Sequence, residues 1–238
     1  MGAFAKNPMP GVRFSMGIKS QWLLTSLVAL ISAAPLAGFD YRYSIPDDTD
    51  PAELIENAEL ISSKNQRVFS EEHDEWQLQG YADAHGVYAL PAELLLAVAA
   101  DFDAYRDFLP WNSGDGVQEQ NGNHYQVHFR SGIRFLGFGI GFELISEAVV
   151  EEVGEGRYGI RVRMLEGLHG GLYEHYVSWY LERLIIEGRE YTYVRYYNRP
   201  GISRPFRGMT SLAGRFSRSN TIGQLEALAD EAHRRWQR

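Results

Sequence analysis

From Asn123 onward the sequence falls into successive segments whose polarity alternates at every second residue, and this pattern restricts the fold more than any other feature. Tyr125, Val127 and Phe129 share one parity of NHYQVHFR; Ile160, Val162 and Met164 stand opposite Arg161 and Arg163 in YGIRVRML; Val177, Trp179 and Leu181 share one parity of LYEHYVSWYLERLII; YTYVRYYN runs out to Pro200. Side chains on a strand point alternately to its two faces, so each segment predicts a strand with one apolar face. The joins are short, VGEGRYG and Glu187-Gly188 among them, which predicts an antiparallel meander resting on a core.

Residues 135 to 145, FLGFGIGFELI, carry the pattern furthest. Leu136, Phe138, Ile140, Phe142 and Leu144 fall on one parity, and Gly137, Gly139 and Gly141 on the other. One face is bulky and apolar and the other is almost bare, as suits a strand that bends around something. Before the meander, WQLQGYADAHGVYAL reads as a strand, Pro91 opens a helix over PAELLLAVAADF, and DAYRDFLPW reads as a short helix stopped by Pro110. After it, Pro205 to Trp236 places Met209, Leu212 and Phe216, then Ile222, Leu225, Ala229, Ala232 and Trp236, at spacings of three and four. That is the stripe of a long amphipathic helix able to cover one face of the sheet.

The 238 residues are 45% hydrophobic and 23% charged, enough for one domain with a real core. With Cys 0, disulfides, thiol nucleophiles and cysteine metal sites are excluded. At the N-terminus Arg13 and Lys19 precede the apolar run WLLTSLVALI and then SAAPLAG, the order of a secretory signal peptide. Residues 1–38 are therefore expected to be a signal peptide, or else an uncleaved anchor, and the protein to be exported, periplasmic or secreted. From Asp40 to Glu75 eleven acidic residues face three basic ones. This predicts an acidic linker over 39–75, with one short helix at PAELIENAELISS started by Asp50 and Pro51. The domain is expected over 76–238. Its end is Arg-rich, which suits solvated helix surface first and a membrane-surface contact as the alternative, and the net charge of -8 argues against nucleic acid.

Catalytic motifs are weak. Gly154, Gly156 and Gly159 spell GxGxxG, but a strand follows where phosphate binding needs a helix. His169-Gly170-Gly171 resembles an esterase oxyanion loop, yet the chain has no GxSxG elbow, so a turn is expected. His124 and His128 share a strand face about 13 Å apart, too far for one metal. Asp101 and Asp103 are expected to cap a helix. No cofactor and no metal is predicted. Arg183, on the parity of Trp179 and Leu181, is the candidate buried charge and would need a carboxylate partner or a polar ligand head.

The stretch DFDAYRDFLPW, followed by the meander and the closing amphipathic helix, resembles the helix-grip (SRPBCC) superfamily: START lipid-transfer domains, polyketide cyclase/dehydrases, coenzyme Q-binding START-like proteins and the birch-pollen allergen. TYVRYYNRPGISRPFRG is similar to the run from last strand into last helix in START domains. The resemblance spans roughly Trp76 to Trp236. It implies an α+β fold, a curved antiparallel β-sheet wrapped around a long C-terminal helix, with an apolar cavity between them. The expected ligand is then a hydrophobic small molecule such as a lipid, quinone or polyketide-like compound. Phe138, Phe142, Val162, Trp179 and Tyr196 are expected to bound it, under Met209, Leu212 and Phe216 of the helix. Arg183 and the Tyr hydroxyls would orient it. A binding or transfer domain is the first expectation, and a cyclase/dehydrase-type enzyme using the same cavity is the alternative. An outer-membrane barrel, which export and Gly-rich alternation also suit, is opposed by the charged helical C-terminus.

Overall fold

In the computed structural model the described residues are 41–110, 112–135 and 138–238, with the side chains of 133–140 and of Phe216 left aside. The signal-like run at 22–31 lies outside them. Among the described residues no helix is long and apolar enough to cross a membrane.

Eight strands form one antiparallel sheet: β1 Ala58–Ser70, β2 Glu75–Tyr88, β3 Gly116–Asn121, β4 His124–Phe135, β5 Phe138–Gly154, β6 Arg157–His169, β7 Leu172–Ile186 and β8 Arg189–Ser203. Their order is β1-β2-β8-β7-β6-β5-β4-β3. Strands β4 to β8 are the expected meander, β3 adds an edge strand beside β4, and β2 returns to pair with β8 from Gln77↔Ser203 to Tyr88↔Thr192. Turn chemistry fixes the register. Ile186 pairs with Arg189 across a two-residue loop in which Glu187 and Gly188 both have positive φ, the backbone that tight hairpins require. Gly156 and the Gly170-Gly171 pair also have positive φ, in the β5–β6 and β6–β7 joins, so the GxGxxG and HGG stretches are hairpin turns.

Helices α1 (Ala92–Ala99) and α2 (Tyr105–Phe108) follow β2, and α3 (Met209–Trp236) closes the chain. The concave face of the sheet, α1 and the second half of α3 share one core. Val127, Ala148, Ile160, Trp179, Leu181 and Val194 meet Leu95, Val98, Leu225, Leu228, Ala229 and Ala232. Each large side chain buried there contributes about 1.5–3 kcal/mol. Phe102, at ring distances of 5.4 Å from Tyr105 and 5.2 Å from Tyr125, packs the segment between α1 and α2 onto β4.

Several local expectations are corrected. Of the linker expected over 39–75, the described part, 41–75, is structured: PAELIENAELISS yields only a 3-10 turn at Pro51–Leu54, with Asp50 accepting the Ala52 N–H at 2.9 Å, and Ala58–Ser70 is edge strand β1. An edge strand buries little and carries charge against unwanted pairing, so its composition resembles a linker's. Polar β3, at the other edge, escapes apolar alternation for the same reason. The single strand expected over 135 to 145 is divided: Phe135 ends β4 and pairs with Phe138 at the start of β5. Asp101 and Asp103 do not cap: Asp101 pairs with Arg235 at 2.8 Å, and Asp103 accepts the Val117 N–H at 2.7 Å.

Residues 41–57 lie as a strap across the convex face. Tyr43 stacks on Tyr180 at 6.2 Å, and Ile45, Leu54 and Ile55 complete a small second core with Val87, Tyr180 and Tyr193. Beneath the strap Arg195 donates twice to Asp83, at 2.9 and 2.7 Å, and once to the Ser44 carbonyl at 2.8 Å. Gly159 admits the strap, because a Cβ there would lie 2.6 Å from the Tyr43 ring.

Two stability outcomes follow, both read by urea denaturation. Leu225→Ala loses about 2–5 kcal/mol as a core truncation. Gly159→Ala destabilises the wild type but costs much less in a Tyr43→Ala background, the non-additivity of residues in contact; additive losses would mean that the strap does not seat there.

Candidate functional site

The last half of α3 fills the concave face, whereas its first half leaves space. Facing the sheet there are Ala213, Ser217, Thr221 and Gln224, small or polar residues at helical spacing. Beneath them lies a cavity of about 180 Å³. Its floor is Val162 of β6, Val177 and Trp179 of β7 and Tyr196 of β8; Phe142 and Leu144 of β5 and Leu78 and Ala82 of β2 form walls, and Tyr105 and Leu109 close one side. Trp179 and Tyr196 are directly cross-strand, with ring centroids 4.3 Å apart, and present one continuous aromatic surface.

The expected site residues divide. Phe142, Val162, Trp179 and Tyr196 line the cavity. Met209 is buried with the lining residues Leu78, Phe142 and Ile202 but does not itself line the cavity. Leu212 is half-buried and does not line it: the helix turns Ala213 and Ser217 inward instead. The side chains of Phe138 and Phe216 lie outside the description. Arg183 is exposed, with its Cβ beside Gly156, so it is neither a buried charge nor a cavity residue. Parity selected the right face of β7, but Arg183 stands at the far end of the strand. The buried arginine is Arg195, which holds Asp83 on the convex face with side-chain exposures of 8% and 4%.

Residue-by-residue reading of the sequence passed over His175 and Asn198. Both line the cavity, and both were accessible to the same rule, since His175 shares parity with Val177 and Trp179, and Asn198 with Tyr196. His175 Nε2 lies 3.1 Å from Asn198 Oδ1, while its Nδ1 is closed to solvent and has no hydrogen-bond partner. Burial lowers the imidazole from 6.5 to about 4, against a smaller upward pull from Asn198, so the ring is neutral at neutral pH. Burial also raises the phenols of Tyr105 and Tyr196, and the Tyr105 hydroxyl donates to the Ala99 carbonyl. Neither phenol is poised to ionise. Among the other polar lining groups, Asn65 donates to Ser217 at 3.3 Å and Gln224 to the Pro110 carbonyl at 3.5 Å, whereas the buried Asn220 Oδ1 has no hydrogen-bond partner.

His124 and His128 sit on the opposite face of β4. His128 is held between Asp115 and Glu143, at 2.9 Å from each, and His124 lies 3.7 Å from Glu147. They do not converge on one point.

No protein-family model matches the sequence, and no curated protein does. Solved structures with similar folds include a Thermus thermophilus protein (TM-score 0.52, 16% identity, covering 65% of this chain and 98% of the other). Another is a fragment of a STAR-related lipid transfer protein from Xanthomonas axonopodis (0.52, 14%, 71% and 98%). A third is the ZhuI aromatase/cyclase from a Streptomyces species (0.51, 16%, 66% and 96%).

The buried imidazole makes stability pH-dependent. Between pH 6.5 and about 4 the unfolded chain takes up a proton that the folded chain refuses, so stability falls as pH falls through that window, by up to about 3 kcal/mol. His85, also held low by burial, adds in the same direction. His175→Phe is expected to flatten the decline of the urea midpoint between pH 7 and 4.5; an unchanged decline would place the effect elsewhere.

Proposed function

Taking the helix-grip fold of the START-like superfamily as the frame, we propose that this protein binds or carries a hydrophobic small molecule, such as a lipid, quinone or polyketide-like compound, between β5–β8 and the first half of α3. The observation that carries this reading is the change of character along α3. A helix meant only to complete a core would continue the Leu225, Leu228, Ala229 and Ala232 face toward its start, yet Ala213, Ser217 and Thr221 stand over aromatic and aliphatic walls. Apolar walls with a few placed polar groups are the usual make-up of a small-molecule site. The structural neighbours include a lipid-transfer protein and an aromatase/cyclase, which supports the class of ligand and leaves its identity to experiment.

The signal-like residues 1–38 support export to the periplasm or beyond, with an uncleaved anchor as the other outcome; sequencing the mature N-terminus separates them. In the periplasm or on an anchor the protein would work beside a membrane, where an apolar cargo is picked up or delivered and the Arg-rich end can meet the lipid surface. A second reading, an enzyme acting on the ligand in the same cavity, is favoured by His175, the one titratable imidazole among the described lining residues. Turnover of an aromatic polyketide by the purified protein would establish it.

Val162 is 4% exposed at the floor of the cavity. Val162→Trp is expected to fill the space and abolish saturable binding of the uncharged fluorophore N-phenyl-1-naphthylamine, while losing about 1–3 kcal/mol of stability from overpacking. Native mass spectrometry of the wild type should show a co-purifying apolar molecule that the variant lacks. Undiminished binding by a folded variant would rule the cavity out.

A further inference from the structure

The arginines of the chain's last third are not equivalent. At the end of α3, Arg234 is bound to Glu231, and Arg235 to Glu231 and to Asp101 at 2.8 Å. The start of the helix is different. Between Glu190 and Glu226 the sequence has no acidic residue, and Arg207, Arg215 and Arg218 are exposed. Arg215 and Arg218 lie three positions apart, on the side of the helix opposite Ala213, Ser217 and Gln224. The half of α3 that faces the cavity inside is therefore basic outside.

Three aromatic side chains are exposed beside that start. Phe206, in the join from β8, is 52% exposed, Trp76 47% and Phe69 43%. The rings of Trp76 and Phe69 meet edge-on at 5.4 Å, and the Arg67 guanidinium lies 4.7 Å from the centre of the Trp76 ring. Arg204 links the join to this group: its N–H donates to the Trp76 carbonyl at 2.9 Å, and its side chain neutralises Glu75 at 2.8 Å. Clustered exposed rings among charges mark a contact surface. Their make-up suits a lipid–water interface, where the rings enter the apolar layer and the guanidinium groups stay with the phosphates. Glu71, Glu72 and Asp74, exposed in the β1–β2 turn next to Trp76, would be repelled there and confine the contact to the α3 side.

We propose that the protein docks on an anionic lipid bilayer through the start of α3 and the join before it, with Phe206 and Trp76 entering the interface and Arg207, Arg215 and Arg218 meeting the lipid phosphates. The proposal rests on the carrier reading and adds the surface, and the lipid charge, by which the carrier reaches its cargo. Docked in this way, the bilayer lies against the half of α3 that covers the cavity, while the Leu225 seam keeps the helix on the sheet.

Co-sedimentation with vesicles tests this, using the protein as its producing cell leaves it. Vesicles of phosphatidylcholine alone are compared with vesicles in which about one third is phosphatidylglycerol. Wild-type protein is expected to bind the anionic vesicles about tenfold more tightly or better, a preference that high salt removes. Arg215→Gln with Arg218→Gln is expected to lose about tenfold on the anionic vesicles. Arg234→Gln with Arg238→Gln, the same change of net charge, is expected to lose little. Phe206→Ala should weaken binding to both kinds of vesicle, because burial of a ring does not depend on lipid charge. None of these residues lines the cavity, so every variant keeps saturable N-phenyl-1-naphthylamine binding. Equal binding to the two kinds of vesicle, no binding to either, or equal losses in the two arginine pairs would overturn the docking surface and, with fluorophore binding intact, leave the carrier reading in place. Wild type that docks as expected but takes up no fluorophore would overturn the carrier reading and leave the docking surface standing.

Discussion

Everything in this molecule depends on how unevenly α3 holds the sheet. Over its second half Leu225, Leu228, Ala229 and Ala232 are buried against α1 and the strands, and that seam supplies the hydrophobic stabilisation that fixes the helix axis. Over its first half the same axis carries Ala213, Ser217 and Thr221 inward, so the helix stays at the distance set by the other half without filling it. The space is a consequence of rigidity: the helix cannot collapse onto β5–β8 without breaking the Leu225 seam. At the start of the helix Met209 packs with Leu78, Phe142 and Ile202. Cavity and core are thus two halves of one helix–sheet contact.

The convex face solves a different problem. A sheet this curved exposes its outer side, and here that side carries Asp83, Arg195, Tyr180 and Tyr193, all buried. The strap at 41–57 covers them, and Arg195 ties it down by spending one donor on the Ser44 carbonyl while Asp83 takes two others. A buried ion pair is weak evidence of net stability, but removing either partner leaves an uncompensated charge. Its position is what matters, since β2 and β8 meet there, where the chain before the meander joins the chain after it.

Inside the cavity the electrostatics run the other way. No charged residue is found among the described lining residues, and burial is the largest influence on three titratable groups there, holding the His175 imidazole neutral and the Tyr105 and Tyr196 phenols protonated. Such a surface recognises shape and hydrogen-bond direction and has no long-range pull on ions. The charge of the protein is carried outside the cavity, on exposed side chains that include Arg215 and Arg218 on the outer side of the first half of α3.

The sequence by itself determined the strands of the meander, their apolar face, the Glu187-Gly188 hairpin and the long closing helix, because each depends on spacing of two, three or four residues along one chain. It also placed Phe142, Val162, Trp179 and Tyr196 on the cavity face, since parity is a local property. Only the tertiary structure decided which end of a strand the cavity occupies, which is why Arg183 lies outside it and His175, on the same parity, lies within. Only the tertiary structure turned an acidic, linker-like stretch into edge strand and strap, because those residues bury little by themselves: the strand is held by its neighbour β2, and the strap gains its partners, Tyr180, Arg195 and Gly159, from strands more than a hundred positions away. Alternation along a chain reports the face of an element; depth, end and partner are set by which other elements come to rest on it.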